Sequence, residues 1–238
     1  MNNLWRVSAQ SYRGMPIRCA PGVHAASLEA LRSRAPARPR LLDLASGSGA
    51  FLARLRDAGF DDLLGVEREM SSYLLKDVPC LSVDLDRPFA AQLDGTFDVI
   101  TAIEIIEHLS SPIAFLQEAR KLLNPGGLLL VSTPNVEEWQ SRIKFLLRGQ
   151  LRYFDARQYR FQRHISPIFP SLVPFMLEEA GLRAVSMSTV GSFDGPIRRH
   201  TIGAATTVLA KLAGARNAVG ECLLITATHA DAQLSQAG

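Results

Sequence analysis

Between residues 40 and 135 the chain switches repeatedly between two hydrophobic patterns. Arg40–Ala45, Leu63–Glu67, Cys80–Asp84, Phe97–Ala102 and Leu128–Ser132 are short, nearly continuous apolar runs. They are too short for helices and rich in Leu, Val and Ile, which predicts strands buried on both faces. The intervening stretches Gly49–Ala58 (GAFLARLRDA), Met70–Lys76 and Ile113–Leu123 carry apolar residues at helical spacing. Ser110 or Ser111 supplies a cap for the last of these, with Pro112 in its first turn. Asn124-Pro-Gly-Gly127 predicts a turn. Strands alternating with helices imply βαβ units, right-handed crossovers and a mostly parallel sheet covered on both faces. The predicted class is α/β, a three-layer αβα sandwich.

Outside that core the pattern changes. Pro21–Ser33 predicts a helix leading into the first strand. Val136–Gly149 reads as a basic amphipathic helix, and Gln150–His164 (QLRYFDARQYRFQRH) as an aromatic, Arg-rich loop or cover with weak periodicity. Pro170–Ala180 predicts a helix stopped at Gly181. Leu182–Val190 and Cys222–Thr228 predict two closing strands, which bring the sheet to seven. A small-residue helix over Ile202–Ala213 is expected in the insertion between them. The expected organisation is one domain over 1–238: a basic segment (1–39), a ligand-binding core (40–135), a substrate cover (136–165), and closing strands with an insertion (166–238).

Composition narrows the class. With 47% hydrophobic and 21% charged residues, the chain can bury a sizeable core, which excludes intrinsic disorder and collagen-like structure. No uncharged apolar run is long enough for a membrane span, and the first residues lack the apolar stretch of a secretory leader. Cys19, Cys80 and Cys222 are odd in number and widely spaced, which reads as buried thiols in a reducing compartment. A cytoplasmic protein is expected. The net charge of +3 conceals an uneven distribution: +6 over residues 1–40, −7 over 41–135, +4 over 136–165 and 0 over 166–238. The uniformly basic surface of a nucleic-acid binder is absent.

The densest chemistry lies in Leu41–Leu52 (LLDLASGSGAFL). Asp43 sits near the carboxyl end of the first strand, followed by the small residues Ala45, Gly47 and Gly49. Small residues there permit a tight turn and close approach of backbone to a ligand, at the sheet end where α/β proteins bind ligands. Glu67 ends the second strand, where an acid can accept hydrogen bonds from both ribose hydroxyls. Asp84 ends the third, where a carboxylate can accept from an adenine amino group, with Leu85 beside the ring. The three strand ends together describe a nucleoside laid across the sheet edge. A dinucleotide-binding pattern starting at Gly47 would need a third glycine where Leu52 stands, which argues against an oxidoreductase.

These motifs, with FDVITAIEIIEHL (Phe97–Leu109) and LLNPGGLLLVSTPN (Leu122–Asn135), resemble class I S-adenosylmethionine-dependent methyltransferases of Rossmann-like fold. The resemblance is firm over residues 40–135 and extends plausibly over 164–190. One departure is Ala45, where the family's Asp-x-Gly-x-Gly-x-Gly pattern has its first glycine. The resemblance implies S-adenosylmethionine as cofactor, held by Asp43, Ala45, Gly47, Gly49, Glu67, Asp84, Leu85 and Ile103.

The segment after the fourth strand would face the transferred methyl. It lacks the Asn/Asp-Pro-Pro-aromatic run of nucleic-acid amino-methyltransferases, which disfavours base N-methylation and points to a hydroxyl acceptor. His108 and His164 are the candidates for removing a proton, because imidazole titrates near neutrality. Glu104, Glu107 and His108 form a Glu-x-x-Glu-His cluster whose i, i+3, i+4 spacing would put three ligands on one helical face. Similar clusters joined by a later histidine bind metal in small-RNA 2′-O-methyltransferases, a part His164 could take, and some ubiquinone-pathway O-methyltransferases resemble it too. The aromatics and arginines of 136–165 suit an anionic small molecule or glycan, and the run STPN…RIKFLLRG…HISP resembles enzymes of bacterial polysaccharide and lipopolysaccharide synthesis. Peripheral contact with anionic membrane lipid is a further expectation. The rival readings are an RNA ribose methyltransferase with a Glu/His-bound cation, and a non-catalytic S-adenosylmethionine-binding partner.

Overall fold

A computed structural model describes residues 10–191 and 217–230; the helix expected at Ile202–Ala213 lies outside them. Seven strands form one sheet in the order β5-β4-β3-β6-β7-β9-β8. They are β3 (Leu41–Leu44), β4 (Leu63–Val66), β5 (Cys80–Leu81), β6 (Phe97–Ile103), β7 (Leu123–Pro134), β8 (Leu182–Val190) and β9 (Cys222–His229). Only β9 runs against its neighbours. A two-stranded ribbon, β1 (Ser11–Tyr12) with β2 (Met15–Pro16), precedes the sheet. No helix among the described residues is long and apolar enough to cross a membrane.

Strand alternation builds the two core layers. Leu42 and Leu44 of β3, with Ile100 and Ala102 of β6, face α3 (Pro112–Leu122) and α6 (Val173–Glu179). Leu41, Val99 and Leu130 face the other way, onto α1 (Val23–Arg32) and α2 (Ala50–Asp57). This is the sandwich expected from the pattern. The Ser111 hydroxyl caps α3 by accepting from the Ala114 amide at 3.3 Å.

Four local expectations are corrected. The helix expected at Met70–Lys76 shrinks to one 3-10 turn, Met70–Ser72, because the next backbone donor is taken by a tertiary partner: the Leu74 amide donates to the Ser48 carbonyl at 3.1 Å. The third strand pairs only over Cys80–Leu81 and forms the sheet edge, stopping short of Asp84. The Asn124–Gly127 turn is a bulge inside β7, since Phe97 pairs with Leu123 but Val99 with Leu128. Within the cover, α4 (Trp139–Arg148) forms as expected, but a second helix, α5 (Ala156–Gln162), stands where a loop was anticipated. The Asp155 carboxylate makes that helix possible by accepting from the Arg157 and Gln158 amides, each at 3.0 Å.

Strand order reverses between β3 and β6, so the loops leaving them diverge and open a crevice at the carboxyl ends. The β3–α2 loop enters it in a left-handed conformation at Ala45 (φ 62°), Gly47 (φ 55°) and Gly49 (φ 85°). A Cβ on Gly49 would lie 2.7 Å from Leu75 Cβ. Gly49→Ala is therefore expected to destabilise the protein by about 2–3 kcal/mol, from backbone strain plus overpacking. Ala45→Gly should do the opposite, by about 1 kcal/mol. Urea unfolding of the two variants checks both signs.

Candidate active site

Register places the first functional pair. Asp43 pairs with Thr101 across β3 and β6, so both side chains leave the same face of the sheet. Thr101 donates its hydroxyl to Asp43 Oδ1 at 2.6 Å. The Asp43 carboxyl is 3% exposed. Burial pushes its pKa up to about 7, against the pull of its hydroxyl partner. A buried acid held on that edge favours a cationic ligand group, which would restore its charge.

The glycine-rich loop is stitched to the end of β4. Ser46 N donates to the Val66 carbonyl at 2.8 Å, and Gly47 N donates to Glu67 Oε2 at 2.8 Å. Glu67 Oε1 accepts from the Glu69 amide at 3.0 Å. The same carboxylate thus braces the loop and lines the crevice, and each oxygen can accept one further hydrogen bond. Asp84 accepts from the Asp86 amide at 3.0 Å, closing a tight turn that presents it beside buried Leu85.

These groups border one cavity of about 1530 Å³. Asp43, Ala45, Gly47, Glu67, Asp84, Leu85, Ile103, Glu104, Glu107, His108 and His164 all line it. Gly49 is the exception. It caps α2 and packs against Leu75 and Tyr73, so its role is to let the loop close down. A ligand pocket for one drug-sized molecule spans roughly 300–1,000 Å³, so this cavity has room for two molecules side by side.

The second cluster differs from the one the spacing suggested. Glu104 has φ 52° and is followed by a 3-10 turn, Ile106–His108, which breaks the helical i, i+3, i+4 geometry. Glu104 is held by the Ser132 hydroxyl at 3.0 Å and stands apart from the other three; burial raises its pKa to about 7. Glu107, His108 and His164 do converge, with one ligand atom from each lying within 4.8 Å of the others. His108 Nδ1 is 2.6 Å from the Gln162 carbonyl, and His164 Nδ1 is 2.9 Å from the Tyr153 carbonyl. A carbonyl oxygen only accepts, so each Nδ1 bears the proton and each Nε2 presents a lone pair. Glu107 is fully buried; Thr133 donates to its Oε2 at 3.1 Å, while Oε1 has no hydrogen-bond partner among the described residues and lies 3.8 Å from His108 Nε2. Burial lowers the pKa of both histidines, that of His164 to about 4.

The cover closes over this cluster through a buried ion network. Arg152 bridges Glu221 at 2.9 Å and Glu138 at 3.5 Å, and the Tyr153 hydroxyl donates to Glu221 at 3.3 Å. Glu138 also caps α4 from below, accepting from Gln140 and Ser141 amides at 2.6 and 2.7 Å. Nothing local in the sequence marks Glu221, which lies at the start of β9, 69 positions from Arg152. The N-terminal segment was missed too. Arg18, Cys19 and His24 line the opposite wall, and His24 stacks on Phe51 with ring centroids 4.9 Å apart. Cys19 and Cys222 are buried and Cys80 half-buried, all as free thiols.

A family model described as "Methyltransferase domain" matches residues 14–187. Among curated proteins, the ubiquinone biosynthesis O-methyltransferase of Cereibacter sphaeroides is 32% identical over 40% of this chain and 41% of its own length. The chain thus spans less than half of that relative. Among solved structures, an S-adenosylmethionine-dependent methyltransferase from Archaeoglobus fulgidus superposes with a TM-score of 0.58 at 16% identity, covering 86% of this chain and 94% of that one. The [4+2]-cyclase SpnF superposes with a TM-score of 0.57 at 16% identity, covering 87% and 81%.

Asp43 supplies a test of the site's electrostatics. Its pKa is about 7 in the fold and ~3.9 in an unfolded chain, so the fold binds its proton more tightly. That stabilisation is fully present below the unfolded value and is lost as pH rises toward the folded one. Relative to Asp43→Asn, the wild type should lose up to ~1.4 kcal/mol of stability per pH unit over that interval. Denaturant unfolding of the pair at pH 5, 6 and 8 reads the difference; a gap independent of pH would refute the buried, proton-binding carboxyl.

Proposed function

Because the chain belongs to the methyltransferase-domain family matched over residues 14–187, we propose that it transfers a methyl group from S-adenosylmethionine to a hydroxyl oxygen of a small molecule or glycan. One observation carries this reading: Asp43, Glu67, Asp84 and the histidine pair border a single cavity large enough for donor and acceptor together. The residues present fit the donor. Gly47 lines the cavity, and a Cβ there would meet nothing within 4 Å, so backbone can approach a ligand closely. Asp43 faces the cationic methionine end, Glu67 accepts from ribose hydroxyls, and Asp84 with Leu85 takes the adenine. The donor supplies a methyl on a good leaving group, so the protein's task is alignment, water exclusion and removal of one proton.

The cover performs the last two tasks. The Arg152 bridge seats it against β9, and His108 and His164 bring their Nε2 atoms together beneath it. A neutral imidazole with its Nδ1–H fixed on a carbonyl is a positioned acceptor for a hydroxyl proton. The ubiquinone-pathway relative is an O-methyltransferase, which supports oxygen as the acceptor atom. A place in polysaccharide or lipopolysaccharide synthesis is the narrower form of this proposal, favoured by the basic lining of the cover.

A second reading has its own observation. Two Nε2 lone pairs and the unpartnered Glu107 Oε1 point into one small space, a donor set suited to a divalent cation with imidazole and carboxylate ligands. In that reading Glu107, His108 and His164 are ligands, and Glu104 is not.

Glu67→Ala should weaken donor binding by about 1–3 kcal/mol, as when a buried acceptor loses its partners; unchanged calorimetric affinity would remove the ribose assignment. Incubation with labelled donor, phenols and sugar nucleotides should yield O-methyl products. Exclusive N-methylation, or donor binding with no product from any acceptor, would overturn the proposal. For the cation, titration with Zn²⁺, Mn²⁺ and Mg²⁺ should show one site that His164→Ala abolishes, and an absence of heat with all three would leave the histidines as bases alone.

A further inference from the structure

The cover carries an apolar tip that does not line the donor cavity. Phe145, Leu146 and Leu147, in the last turn of α4, are 57%, 83% and 74% exposed. Phe145 also lines a groove of about 450 Å³ with Leu151, Phe154 and Tyr159, and that groove reaches His164. Isolated exposed apolar side chains are ordinary, but three consecutive ones beside an apolar groove are not.

Among residues 136–165 the unpaired charge has one sign. The three acids of 136–165 are all engaged: Glu137 with Arg142, Glu138 with Arg152, and Asp155 with Lys144. Arg148, Arg157 and Arg160 are exposed and make no ion pair with a carboxylate among the described residues; Arg148 and Arg157 also line the donor cavity, so the tip borders its mouth. An apolar protrusion rimmed by uncompensated guanidinium groups complements a surface with a hydrocarbon interior and anionic headgroups. A second copy of this chain would bring the same guanidinium groups together, and RNA has no hydrocarbon layer to receive Leu146 and Leu147.

We infer that the tip of the cover docks on anionic lipid bilayers, with Phe145, Leu146 and Leu147 entering the interface, Arg160 on the headgroups, and Arg148 and Arg157 between the headgroups and the mouth of the donor cavity. The groove then opens beside the bilayer and leads to His164, so the tail of a lipid-bearing acceptor can stay in apolar surroundings while its head enters the cavity. Docking does not require the chemistry proposed above, and the two fail separately.

Co-sedimentation of the full chain with mixed phosphatidylglycerol–phosphatidylcholine vesicles, and with pure phosphatidylcholine vesicles, tests this. The wild type should pellet with the mixed vesicles, and release by added salt should follow. Replacing the tip (Phe145→Ser, Leu146→Ser and Leu147→Ser together) should cut the bound fraction at least about tenfold, while calorimetric donor affinity stays at the wild-type value as evidence of an intact fold. Leu146→Trp should bind at least as well and shift its emission to the blue on vesicle addition. Equal binding by wild type and the serine variant overturns the inference. So does self-association of the wild type that the serine variant abolishes without any vesicle binding, or retention on RNA but not on vesicles.

Discussion

Everything at the carboxyl edge of the sheet is arranged around a carboxyl group that the fold has taken out of water. Asp43 is buried at the strand end with the hydroxyls of Thr101 and Ser46 beside it, and an uncompensated carboxylate in such surroundings is costly. Burial therefore holds its pKa up against both hydroxyls, and a cationic group in the crevice would favour its charged form. The donor's cationic end fits that need, and the diverging loops at the strand-order reversal give it access.

How far this was visible in the chain itself depends on the range of the interaction. Elements specified by their own period were legible: β3, α2, β6, α3 and the closing pair β8 and β9 all fall within a few residues of expectation. Asp43 and Glu67 were legible because a strand fixes where the residues at its end point; Asp84 lies three residues past β5 and owes its place to the turn closed by the Asp86 amide. Met70–Lys76 was not, since a helical pattern lost its backbone donor to Ser48, a partner 26 positions away in the chain. Glu104 misled for a related reason. Its spacing is helical, but a left-handed residue followed by a 3-10 turn sends it to Ser132 and leaves His164 to complete the cluster. Glu221 and Arg18 carried no signal, because contacts across the sheet leave no local trace.

The cover illustrates how a weakly patterned segment can still be well specified. Gln150–His164 lacks a clean period, yet each of its ends is fixed by a charged or polar anchor. Arg152 is clamped between two carboxylates, Asp155 caps α5 while pairing with Lys144, and the His164 Nδ1–H donates to the Tyr153 carbonyl. Buried ion pairs of this type contribute little net stability, since desolvation offsets much of the attraction. What they contribute is geometry. Removing one partner would leave a buried charge, so alternative placements of the cover are heavily penalised.

Likeness of fold stops short of settling chemistry here. SpnF, described as a cyclase, shares the architecture as closely as the Archaeoglobus methyltransferase does, so the architecture by itself fixes no reaction. The features on which the proposed reaction rests lie in the cover and the 3-10 turn beneath it: two imidazoles anchored through Nδ1, a carboxylate oxygen without a partner among the described residues, and a basic rim. Those features have different tolerances. A proton acceptor needs only one Nε2 within reach of the hydroxyl, whereas a cation needs all three donors to move inward together. The carbonyl anchors on both Nδ1 atoms fix the rings' orientation without fixing their separation. Within the proposed reading, the two roles differ in the spacing of the pair when the cover is seated, not in the identity of the residues.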